Sequence, residues 1–257
     1  MSPRSIWVRS VSIAFALAFA LAFATLLPVA RSVGGDLAPA EATARGRQRY
    51  SLGVAGARAF EYFAHGDRHA WDGYLKSLRP PPVSADKRAR SLAMVRKEDV
   101  VEPSRERQAK LDSLQPVLAY LERESTTEVR LIRLNVAWAG FLEGAAVLIS
   151  PDAVDLLTAA ELQAVIAHEL AHEYFASEYD AARAKKDYDT VKEIELRCDA
   201  VAIVTMSRLG LDRGALLSGV AKLTKFNERR GFPNRQDLSP AWDERRNFAR
   251  AVAELTE

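Results

Sequence analysis

Residues 167–173 read Ala-His-Glu-Leu-Ala-His-Glu, and no other stretch limits so tightly what this chain can become. They lie in a run whose apolar residues Leu162, Val165, Ile166 and Leu170 have the spacing of one helix face. Thr158-Ala159-Ala160-Glu161 is a capping box that opens the helix. On a helix, positions i and i+4 share a face, so the rings of His168 and His172 converge on one point. Two neutral imidazoles so placed can grip a zinc ion. Glu169, one residue past the first of them, can accept a proton from the attacking water.

A catalytic zinc site takes three protein ligands and keeps one position open. Candidates for the third ligand come in Glu193-Ile194-Glu195-Leu196-Arg197-Cys198-Asp199-Ala200, far enough on for a turn and a second, returning helix. Glu195 and Asp199 are again i and i+4. Glu195 can complete the metal shell, while Asp199, one turn on, can take the outward N–H of a ligand histidine and fix its tautomer. Glu193 sits about 200° around the helix from Glu195 and cannot share a face with Asp199. Cys198, the single cysteine, excludes an intramolecular disulfide framework. It reads as a small buried residue beside the site, with zinc ligation as the alternative.

With both segments in view, the chain resembles the gluzincin metallopeptidases of the CAAX-prenyl-endopeptidase and HtpX-like kind. Their pattern is His-Glu-x-x-His followed by Glu-x-x-x-Asp on a later helix. The resemblance covers roughly residues 127 to 250. It implies Zn2+ held by His168, His172 and Glu195, with Glu169 as general base and Asp199 behind a ligand. It implies an α+β, predominantly α-helical zincin-type domain with a small edge-strand sheet. A strand at Ala145–Ser150 would either run along the cleft as its edge, where an extended substrate can add on, or be a plain core strand. Two departures stand out. Cys198 replaces the family's usual Ala, and Ser239-Pro240 stands where the family often has His-Pro before an Arg. From that place Arg245 is named as the second donor to the oxyanion, with Arg246 or Tyr188 as alternatives.

The first 30 residues carry only Arg4 and Arg9 as charges, followed by the uncharged stretch 11–30. This reads as a signal peptide or single membrane anchor within 1–32, with the positive flank inside and the remainder outside the cytoplasm, periplasmic or membrane-tethered. The net charge of +2 comes from those two arginines, which leaves the rest balanced. With no basic block, nucleic acid is not an expected partner; a protein or peptide substrate is.

Residues 33–46 read as a linker, 47–125 as a helical N-terminal region, and 126–257 as the metallopeptidase domain. Arg79-Pro80-Pro81-Pro82 interrupts the helical region. Helices are expected over about 85–98 and 103–124. His65 and His69 are i and i+4, but Gly66 and Asp67 intervene, so a helix end is expected there rather than a second metal site. Strands are expected over 126–138 and 145–150, joined by a turn bounded by Gly140 and Gly144. Ala182–Asp189 reads as a loop or frayed helix end, and the second metal helix as running from about Thr190 to Leu209. A further helix stops at Gly231, and the last opens at Pro240. The function expected is a zinc-dependent endopeptidase of extracytoplasmic proteins. The alternative is a non-catalytic exported zinc-binding chaperone or assembly factor.

Overall fold

The computed structural model describes residues 50–64, 71–123, 125–232 and 237–256. The apolar N-terminal stretch, the linker, His65 and His69 lie outside these residues. Among the described residues no helix is long and apolar enough to cross a membrane.

Among the described residues the first helices are α1 (Val54–Ala64) and α2 (Trp71–Leu78). Three prolines then keep it from continuing as helix until Ser84, whose hydroxyl accepts from Lys87 N–H, caps α3 (Ala85–Ala93). β1 (Val100–Val101) follows, then α4 (Arg105–Asp112), capped by Ser104, and α5 (Gln115–Tyr120). The single helix expected over 103–124 is thus two. Pro116 lacks an N–H and sits in the first turn of α5, so the chain restarts there instead of running through.

β2 (Glu128–Ile132), β3 (Ala139–Leu142) and β4 (Ala146–Ile149) join β1 in one sheet of order β1-β2-β4-β3. β2 runs parallel to β4, and β3 antiparallel to it. β4 is therefore central, not the cleft's edge strand; that place falls to β3, which sequence reading took for part of a turn. Burial on both faces explains β4's unbroken apolar run. Val147 and Ile149 face the main core, and Ala146 and Leu148 pack with Val95, Ile132 and Leu142 on the other side. Gly140 belongs to β3 because a Cβ there would run into the Trp138 indole. Only Gly144 serves the turn, where it and Glu143 adopt φ of 74° and 42°, the left-handed pair of a tight hairpin.

After the sheet come α6 (Pro151–Leu156) and α7 (Ala159–Ala171), the latter with its capping box formed in both directions. A 3₁₀ turn, His172–Phe175, leads into α8 (Ala176–Lys185), which extends through much of the segment expected as loop. α9 (Tyr188–Arg208) ends just before Gly210, at φ 66°. α10 (Ala215–Arg229) and α11 (Trp242–Leu255) complete the chain. α11 starts two residues after Pro240.

α7 and α9 pack against each other at the centre. α1 lies along α9, and α11 covers α9 and α1. One apolar cluster joins Phe60 and Phe63 of α1, Leu118 of α5, Ile166 of α7, Val204 of α9 and Phe248 of α11. α10 sits close on α7 because Gly219 has no side chain; a Cβ there would come within 3.0 Å of Val165.

Candidate metal centre

The two central helices each contribute one side of the site. α7 carries His168 and Glu169, and His172 caps its C-terminal end as the first residue of the 3₁₀ turn; α9 carries Glu195 and Asp199. One ligand atom from each of His168, His172 and Glu195 lies within 4.8 Å of the other two, a spacing that suits a single ion. The Nε2 atoms of His168 and His172 stand 3.5 Å and 3.7 Å from the Glu195 carboxylate oxygens. The two rings meet edge to face, with centroids 5.1 Å apart. His168 is buried, while His172 and Glu195 are partly exposed, so the cluster opens to one side.

Behind the three candidate ligands, each histidine has its own neighbour. His168 Nδ1 is 2.8 Å from Asp199 Oδ1, although its N–H does not point straight at that oxygen. His172 Nδ1 faces the Cys198 sulfur at 3.6 Å. Cys198 is fully buried, and burial raises its thiol pKa well above the usual value, so it stays a neutral thiol. Asp199, with no exposed surface, is gripped by Arg245 of α11.

The charges are strongly coupled. Burial works against a proton on His168, but the carboxylates of Asp199 and Glu195 prevail and lift its pKa to about 10. Burial also works to raise Glu195, yet the two histidines and Arg245 hold it at about 2. His172 goes the other way: burial, with the charge of His168, holds it at about 4, so its ring is neutral and free to ligate. Positive charge is thus favoured at His168 opposite an ionised Glu195, a place that a cation would satisfy. Two imidazole nitrogens and one carboxylate are also the donor set zinc takes in hydrolases. Glu169 bonds to none of this set. Burial lifts its carboxyl to about 7.

The structure therefore brings together His168, His172, Glu169, Glu195, Asp199 and Arg245. It keeps the alternatives apart. Glu193 pairs with Arg197, which lies over the Tyr62 ring at 4.0 Å. Arg246 pairs with Asp243, and Tyr188 is exposed at the start of α9. Arg245 does reach the centre, but two of its nitrogens donate to Asp199, and Nη2 stands 3.6 Å from Glu195. Sequence reasoning missed Tyr179, whose ring meets His172 edge to face at 5.3 Å between centroids. Spacing held no signal for it, because the 3₁₀ turn His172–Phe175 breaks the helix between the two residues and so brings the rings together.

No curated protein matches the chain. Residues 104–177 match the family model described as Peptidase family M48. The matched segment takes in β2 to β4 and both histidines; Glu195 and Asp199 fall beyond it and are joined to it by the fold. With that match on the helix that bears the His-Glu-x-x-His motif, the chain is a metallopeptidase, a zinc-dependent hydrolase that acts on peptide bonds of protein or peptide substrates.

Proposed function

We propose that this enzyme is an endopeptidase of extracytoplasmic proteins, with Glu169 as general base and His168, His172 and Glu195 as the zinc ligands. The observation that carries the assignment is the convergence of those three side chains from two separate helices. The Glu-x-x-x-Asp pattern at Glu195 and Asp199 supports the narrower CAAX-prenyl-endopeptidase and HtpX-like kinship. The uncharged stretch at 11–30 supports export or membrane tethering.

Zinc in such a site acidifies water and polarises the scissile carbonyl. The protein's own groups do the rest. Glu169, held near neutrality by burial, takes the proton of the attacking water and passes it to the leaving amine. Asp199 fixes the His168 ring so that Nε2 faces the centre. Arg245 acts through Asp199 and Glu195, balancing one buried and one partly exposed carboxylate, and is a positioning residue rather than the oxyanion donor. β3 is the terminal strand of the sheet among the described residues and lies beside α7; on its outer edge an extended substrate can lie as a further strand.

The test is a chelator-sensitive cleavage assay on unfolded casein with wild type and Glu169→Gln. The variant should keep its zinc and lose about 10²- to 10⁴-fold in rate. An active Glu169→Gln protein removes the base assignment.

A further inference from the structure

The substrate edge of the sheet is closed at one end by a side chain that imitates a peptide. In the hairpin of β3 and β4, Ser150 N–H donates to Trp138 O at 2.8 Å. Trp138 N–H in turn donates to Ser150 Oγ at 2.9 Å. The register pairs Ala139 with Ile149, Gly140 with Leu148 and Phe141 with Val147. Backbone groups alternate in direction along an antiparallel strand, so those of Trp138, Gly140 and Leu142 turn toward β4. Those of Ala137, Ala139 and Phe141 turn outward.

At Ala137 both outward groups are occupied. Asn227 Oδ1 accepts from Ala137 N–H, and Asn227 Nδ2 donates to Ala137 O, each at 2.9 Å. One carboxamide thus supplies the acceptor and donor that the peptide groups of a neighbouring strand would supply. Asn227 stands in the last turn of α10, and α10 packs closely on α7, which bears His168 and is capped by His172. The stop is therefore held at a fixed distance from the metal centre.

We infer that Asn227 is a specificity-determining residue that ends the substrate-binding edge at Ala137. A substrate strand is left with the outward groups of Ala139 and Phe141, and its length on that side of the scissile bond is limited. This rests on the peptidase reading and on substrate binding along β3. Among the described residues no strand competes for that edge.

The experiment measures kcat/KM for zinc-loaded enzyme on one cleaved peptide sequence, lengthened by two residues at a time from either end. In wild type, lengthening at one end should stop helping once the strand meets Asn227. In Asn227→Ala the next two residues should find Ala137 free and raise kcat/KM about tenfold through two added backbone hydrogen bonds. Asn227→Leu, similar in size but without the amide, should keep the wild-type limit. Asn227→Ser takes the place of Asn227→Ala if the latter does not fold. Identical length dependence in wild type and the shortened variant overturns the inference and leaves the peptidase standing. Wild-type enzyme that cleaves none of the series overturns both.

Discussion

Arg245 holds Asp199 through two hydrogen bonds, Nε to Oδ2 at 2.7 Å and Nη2 to Oδ1 at 3.2 Å, with both residues buried. The pair joins the last helix of the described residues to the carboxylate that stands 2.8 Å from His168 Nδ1. Arg245→Ala would strand a carboxylate that has no exposed surface, which typically costs about 3–5 kcal/mol. It should also weaken zinc binding by about 10- to 100-fold, because the support of a ligand histidine is loosened. Thermal unfolding and a chelator competition read the two effects. A variant of normal stability and zinc affinity would show that α11 does not contribute to the centre. Arg245→Lys keeps the charge without the two-pronged geometry and should fall between.

If Glu169 is the general base proposed above, it sets the acid side of the pH dependence. Only its ionised form can take a proton, and burial lifts its pKa from 4.5 to about 7 before any cation is counted. A bound cation favours the carboxylate and moves that value down. The kcat/KM profile of the zinc-loaded enzyme should therefore decline as pH falls, with its midpoint at or below about 7. A decline centred on the alkaline side of that point would assign the titrating group to something other than Glu169.

The metal centre was more legible in the sequence than the sheet beside it, for a physical reason. His168 and His172, like Glu195 and Asp199, are fixed to each other by the pitch of a helix, so spacing alone predicts which face they share. Joining the two pairs required only that α9 return against α7. β3 gave no such signal. Its Gly140 is there to pass beneath the Trp138 indole, and a glycine in a short strand reads as a turn until the tryptophan is placed. The edge position was misassigned for a related reason, since strand order depends on pairing partners and not on local pattern. Arg245 was found by its distance from Pro240, but its partner Asp199 lies 46 positions away, and only the packing of α11 on α9 reveals that pair.

Glu161 should make the fold sensitive to acid. Besides closing the capping box with Thr158, its carboxylate accepts from Ser218 Oγ and from Lys222 Nζ of α10, the latter at 2.7 Å. Burial opposes the charge, but Lys222, Ser218 and Thr158 overcome it and hold the folded pKa at about 2 against 4.5. A depressed carboxylate stabilises the fold fully above the unfolded value. Its contribution should thus disappear as pH falls from 4.5 to about 2. The difference is worth up to about 3 kcal/mol, less where water screens the half-exposed Lys222. Urea unfolding of wild type and Glu161→Gln at a series of pH values checks this. The two curves should separate near neutrality and converge in acid; a constant gap would contradict the linkage.

Arg123 and Glu173 form a second, largely buried pair, and it sits immediately beyond the candidate ligand His172. Arg123 is 2% exposed. Its Nε donates to Glu173 Oε2 at 2.7 Å, and Nη2 donates to Pro80 O at 2.9 Å. Glu173 follows His172 in the 3₁₀ turn, and a Cβ on Gly144 would come within 3.0 Å of its Oε1. One guanidinium therefore ties the proline segment, the end of α5 and the turn after α7 together. Arg123→Ala should cost about 3–5 kcal/mol, since it leaves Glu173 charged and unpaired in a largely buried place. Glu173→Ala alone should cost a comparable amount for the converse reason. The double variant should be less unstable than the sum of the two by about 1–3 kcal/mol, because neither partner remains to be left uncompensated. Urea unfolding of all four proteins measures the coupling. Strict additivity would mean that the two side chains stabilise the fold independently and that the 3₁₀ turn after His172 is held by packing alone.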